Sequence, residues 1–140
     1  MSALLCFDVY ATNLAFGRVY KPLLEPLGLT YPQFLVLLTL WSANDQSIGQ
    51  IGSALGLDSS TLTPLVKRLE AAGMVTRRRD SQDERRVIVS LTSKGRSLEK
   101  QSGEVLACAS DTTGFTLEEM QALQVQLLRL RQSLNSTQAG

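Results

Sequence analysis

Three observations in the 140-residue sequence predict a mostly α-helical fold with one small β hairpin. Segments of helical hydrophobic spacing, all but the first opened by a capping residue, fill most of the chain. One stretch, residues 74–91, changes to β-branched residues and arginine around a polar turn. Just before it stand two short helices joined by a tight turn containing glycine, the helix-turn-helix signature, which makes the charged hairpin a wing.

The elements follow in order. Residues 3–20 are apolar at Leu4, Leu5, Phe7, Val9, Leu14, Phe16 and Val19, a helix that needs cover on more than one face. Pro22, Pro26 and Gly28 punctuate a connector. Thr30 caps a second helix, "YPQFLVLLTLW", with Pro32 in its first turn, until residues 42–46 break the pattern. Ser47 opens "SIGQIGSALGL", with Ile48, Ile51 and Leu55 on one face and Gly56 as its stop. Asp58 or Ser59 caps "SSTLTPLVKRLEAAG", with Leu62, Leu65, Val66 and Leu69 inward and Gly73 at its end. "MVTRRR" and "RRVIVSL" then flank "DSQDE" as antiparallel strands. Thr92 caps a long helix through about Ala109, softly interrupted by Gly95 and Gly103. After the loop "DTTGF", Thr116 and Glu119 form a capping box for the last helix. There Met120, Leu123, Leu127, Leu130 and Leu134 recur at coiled-coil spacing, which over two heptads suits a helical core as well as self-association.

Composition removes several function classes. No histidine is present, so Ser-His-Asp and Cys-His catalysis are excluded, and neither a metal site nor a cofactor is expected. GxGxxG and GxxxxGK[ST] are missing. No apolar run approaches the length of a membrane span, and the N-terminus lacks the features of a secretory signal, so a cytoplasmic, membrane-free protein is expected. Two cysteines 102 residues apart make no CxxC pair and should rest as thiols in a reducing compartment.

Net charge is +1, but residues 65–100 carry ten Lys/Arg against five acids, and the remainder four against eight. A basic middle in an otherwise acidic chain points to a localised polyanion-binding face. Ser59, Ser60, Thr61 and Thr63 lead the second helix of the pair, where short polar side chains reach base edges, and Lys67 and Arg68 follow toward phosphates. Arg77, Arg79, Arg85 and Arg86 on the hairpin suit phosphate contact or minor-groove insertion, with Asp83 orienting a neighbouring arginine. Double-stranded DNA is the partner this pattern predicts, and an enzyme is the minority reading.

"LDSSTLTPLVKRLEAAGMVTRRRDSQDERRVIVSLTSKG" resembles the recognition helix and wing of the MarR family, including its D-x-R pattern at Asp83 and Arg85. "LCFDVYATN...VYKPLLEPLGLTYPQFLVLLTLW" further resembles the organic-hydroperoxide-sensing branch, the OhrR-type repressors. The resemblance covers about residues 4–100. It implies a homodimer on a pseudo-palindromic operator, with a winged helix-turn-helix at about 30–91 and dimerisation helices at about 1–21 and 92–136, all within one domain of residues 1–140. Cys6 matches the branch's peroxide-reactive cysteine, and Tyr20 and Tyr31 match tyrosines that hydrogen-bond its sulfur from the other subunit. Phe7, Tyr10 and Phe16 would line the pocket, and organic hydroperoxide would be the inducer. Cys108 matches the position of a resolving cysteine found in some members; on its local sequence alone it reads equally as a small core residue.

The segment 4–41 holds Cys6 and seven of the eight aromatic residues. Peroxide attack needs a thiolate. Hydroxyl donors and a place in the first turn of a helix favour that form, whereas aromatic surroundings oppose it. Two other readings stand beside peroxide sensing: a MarR-type repressor released by a non-covalent lipophilic or phenolic ligand, and a thiol peroxidase.

Overall fold

The computed structural model describes residues 4–139, with side chains described through Ser136, so Ala3 of the helix expected at 3–20 and the first three residues of the dimerisation region expected at about 1–21 lie outside it. The chain divides into two compact units, Met1–Leu106 and Ala107–Gly140.

The first unit opens with α1, Leu5–Leu24, which runs four residues further than its apolar pattern suggests. Pro22 therefore lies inside the helix, not in a connector. A helical proline costs about 3 kcal/mol, but each buried large side chain returns about 1.5–3 kcal/mol. Tyr20 and fully buried Leu24 hold this last turn against the core. A 3-10 turn, Glu25–Leu27, follows and ends at Gly28.

Helix α2, Tyr31–Ser42, starts at a capping box in which the Thr30 hydroxyl accepts from the Gln33 N–H and the Gln33 side chain accepts from the Thr30 N–H. Its Phe34, Val36, Leu37 and Leu40 are fully buried and form the centre of the core. Helix α3, Ile48–Leu55, has the same reciprocal box between Ser47 and Gln50. Helix α4, Ser59–Ala71, is capped by Asp58, and Leu62, Leu65, Val66 and Leu69 face inward as the spacing predicts. Gly73, at φ 79°, closes α4: its N–H donates to the Glu70 carbonyl and that of Met74 to the Leu69 carbonyl, a Schellman ending.

The hairpin holds one strand more than expected. Gln46–Ser47, β1, pairs with β3, Val87–Leu91, which pairs in turn with β2, Val75–Arg79, in an antiparallel sheet of order β1-β3-β2. Two residues, the second of them the cap of α3, are too short to leave a period in the sequence. Arg85 and Arg86, expected to begin the second strand, lie in the loop between β2 and β3. The cause is the loop's own bonding: Asp80 accepts from the Gln82 N–H, Asp83 from the Arg85 N–H, and the Arg86 carbonyl from the Asp80 N–H.

Thr92 caps α5, Ser93–Ser97, as predicted. The single long helix expected there is two, because the chain tightens at Leu98 before α6, Glu99–Thr112. Leu98 keeps right-handed helical dihedrals, and its carbonyl accepts an i+3 bond from Gln101.

In the second unit, Gly114 turns the chain into α7, Leu117–Ala139, through the predicted Thr116–Glu119 box. Leu123, Leu127 and Leu134 of the heptad seam are exposed on the single chain. Among the described residues no single helix is long and apolar enough to cross a membrane, and no group of three or more His, Cys, Asp or Glu is placed to hold a metal ion.

Candidate nucleic-acid interface and thiol site

The polar start of α4 is organised around Asp58. Its carboxylate accepts from the Thr61 N–H at 2.8 Å and from the Ser60 hydroxyl at 2.9 Å. Hydrogen bonds from Thr61, side chain and backbone, and then from Ser60 hold the Asp58 carboxyl below the usual carboxylate range. The Ser60 hydroxyl thus donates to a carboxylate, which leaves its oxygen able to accept from an exocyclic base amine. Ser59 and Thr61 are exposed, Thr63 is half-buried, and Lys67 and Arg68 lie exposed further along the helix.

Each hairpin arginine has its own setting. Arg79 donates to the Glu84 carbonyl at 2.7 Å, and Arg86 pairs with Asp80 at 3.2 Å. Arg85 pairs with Asp83 at 3.1 Å, and those hydrogen bonds lower the Asp83 carboxyl below its usual range. The Arg85 side chain is nonetheless 90% exposed, the projecting geometry that minor-groove insertion needs. Arg77 turns instead toward α4 and pairs with Glu70 at 3.0 Å.

Sequence reasoning left out Glu70 and Asp80 as partners of these arginines, and Arg78, which donates to Ser90 and lies 3.9 Å from Asp45. Asp45 occupies a left-handed backbone position, φ 60°, that no sequence period signals.

The thiol region separates into two places within one chain. Tyr20 and Tyr31 stack, with ring centroids 4.6 Å apart and planes 13° apart, and Phe34 tilts against Tyr20 at 5.7 Å. Trp41 meets Phe34 edge-on at 6.0 Å and donates its indole N–H to the Gly95 carbonyl at 3.0 Å. Burial, and for Tyr20 also the neighbouring Tyr31, pushes both phenols above 10.0. Cys6 is exposed in the first turn of α1, fourteen residues before Tyr20 on the same helix. At 1.5 Å per residue the two lie about 21 Å apart along the axis. No single chain can bring that sulfur to those hydroxyls.

Phe7 and Tyr10 are 65% and 67% exposed, and Leu5, Val9, Leu14 and Phe16 extend the apolar surface along α1. A bare apolar helix of this kind marks an interaction surface. Cys108 is exposed on α6 of the single chain.

The sequence profile of the family described as transcriptional regulator SarA/Rot matches residues 18–101. The HTH-type transcriptional regulator TtmR of Methylorubrum extorquens is 51% identical over 94% of this chain and 68% of its own length. The organic hydroperoxide resistance transcriptional regulator of Bacillus subtilis is 38% identical over 94% of this chain and 89% of its own. Reduced AbfR bound to DNA superposes with a TM-score of 0.79 at 36% identity, covering 97% of this chain and 93% of that one. AbfR, a protein of Staphylococcus epidermidis, is also similar in its disulfide form, with a TM-score of 0.61 at 36% identity over 99% of this chain and 92% of that one.

Proposed function

The chain belongs to the MarR/SarA-type winged-helix transcriptional regulators, and on that premise we propose that it is a homodimeric repressor released from DNA when an organic hydroperoxide oxidises Cys6. One observation carries the reading. Cys6 and the Tyr20–Tyr31 stack sit far apart on one chain, yet both belong to a region whose helix α1 presents an uncovered apolar face. Covering that face with a second copy is the arrangement that lets the phenols of one subunit donate to the sulfur of the other. The raised phenols keep their protons at neutral pH, so they remain donors. The relative named for organic hydroperoxide resistance and the disulfide form of AbfR support the same chemistry.

The reaction balances without a cofactor. The Cys6 sulfur attacks the outer peroxide oxygen, the O–O bond breaks, and the leaving alkoxide takes up the thiol proton as an alcohol; the product is a sulfenic acid. A second thiol, Cys108 of the other subunit or a small cellular thiol, then displaces water to give a disulfide. On DNA, α4 of each subunit enters the major groove through Ser59, Ser60, Thr61 and Thr63, while Lys67, Arg68, Arg79, Arg85 and Arg86 hold backbone or minor groove. Half-sites lie about 34–36 Å apart, so a small shift at the dimer interface misaligns both wings.

Binding to a duplex carrying the region upstream of the protein's own gene is measured before and after one equivalent of organic hydroperoxide, with intact mass on the same samples. Cys6→Ser should bind like the parent and ignore peroxide. Release of that variant would defeat the proposal and leave a non-covalent ligand, and steady turnover of peroxide with a recycling thiol would favour a peroxidase.

A further inference from the structure

Resting on the DNA-binding reading above, we propose that Arg77 acts not as a phosphate contact but as half of a brace with Glu70 that clamps the wing to the recognition helix. Arg77 Nε donates to Glu70 Oε1 at 3.1 Å, and a terminal guanidinium nitrogen lies 3.0 Å from the same oxygen. Two nitrogens on one carboxylate fix the direction of the guanidinium, which faces α4 and carries a neutralised charge. Its side chain is 28% exposed, against 90% for Arg85 at the wing tip. Strand alternation agrees: Arg77 shares a face with buried Val75, and its cross-strand partner is fully buried Val89.

The brace closes across a corner that is already stiff. Glu70 lies in the last turn of α4, and between it and β2 stands the Gly73 turn with its two closing hydrogen bonds. Helix and hairpin are thus tied at the corner by backbone and again beyond it by an ion pair. The helix that reads the major groove and the hairpin that reaches past it then move as one body, and a rotation of α4 carries Arg79, Arg85 and Arg86 with it. A partly exposed pair adds little to global stability, so its effect belongs in DNA affinity.

Glu70→Gln separates the readings by sign, because it keeps the shape and removes a negative charge near DNA. If Arg77 were a phosphate contact restrained by Glu70, this variant would bind tighter. The brace requires weaker binding to the upstream duplex, on the order of fivefold, with an unchanged dependence on salt. Arg77→Glu should weaken binding, and the swapped double variant Glu70→Arg with Arg77→Glu should recover it. Equal or tighter binding by Glu70→Gln would overturn the proposal. So would a swapped variant that stays weak with a log–log salt slope lower by about 0.9, the loss of one phosphate contact.

Amide exchange across Val75–Arg79 in the same variants provides a readout independent of DNA. It should quicken in Glu70→Gln and slow again in the swap, and unchanged exchange would count against the brace. If the parent bound no DNA, the regulatory reading would fall, and this exchange result alone would decide the brace.

Discussion

Tyr20 and Tyr31 hold their protons because burial, and for Tyr20 also the neighbouring Tyr31, disfavours the phenolate, and this has a consequence for stability as well as for sensing. A group raised above its unfolded value of 10.0 contributes stability that is complete below that pH and is lost as pH climbs through the folded value. The parent protein should therefore lose stability above about pH 10, and Tyr20→Phe should flatten that part of the profile in urea melts at stepped pH. The same substitution removes one donor from the proposed sulfur site. Its rate of peroxide-driven release should fall while DNA binding without peroxide stays the same; an unchanged rate would detach Tyr20 from the sensor. Asp58 shows the opposite sign: its lowered carboxyl contributes above the ordinary 3.8 and is lost as pH falls through the folded value.

Single contacts set the placement of whole elements in the helix-turn-helix. A Cβ on Gly52 of α3 would lie 2.5 Å from the Leu57 carbonyl oxygen, which is backbone and cannot swing aside. In an open helix, Gly→Ala gains about 1 kcal/mol. Here the sign should reverse, with Gly52→Ala losing about 1–3 kcal/mol in urea unfolding as α3 and the turn are forced apart. A stabilised variant would mean that the close approach does not set the packing of α3 and α4. Ser47 joins β1 to the cap of α3, so Ser47→Ala should cost about 1 kcal/mol by the same measurement. These caps and stops were readable from single residues, since Thr30, Ser47, Thr92 and the Thr116–Glu119 box each signal through side-chain chemistry local in sequence. Pro22 was misread because local propensity favours a break there, whereas the burial of Leu24 does not show in its neighbours.

For the whole molecule, the question is what covers the apolar residues left outside. Leu123, Leu127 and Leu134 on α7, like Phe7 and Tyr10 on α1, are exposed on one chain although their spacing is that of a buried seam. Leu127→Asp should shift sedimentation toward monomer. Operator affinity should then fall about 10²- to 10⁴-fold, as one linked pair of half-site contacts becomes two independent ones. A dimer unaffected by this change would place the interface elsewhere.

By itself the sequence determined where most helices start, their caps, the helix-turn-helix and the basic hairpin, because periodicity, capping and charge are written within a few residues of where they act. It also put Cys6 and Tyr20 on the first helix and Tyr31 at the start of the second, where the structure has them. Tertiary structure alone decided the third strand, the turning of Arg77 to Glu70, and the stacking of Tyr20 on Tyr31 far from Cys6. These depend on residues brought together across turns and between elements. Which way a side chain turns is settled by packing and partners, and those come into being only when the chain has folded.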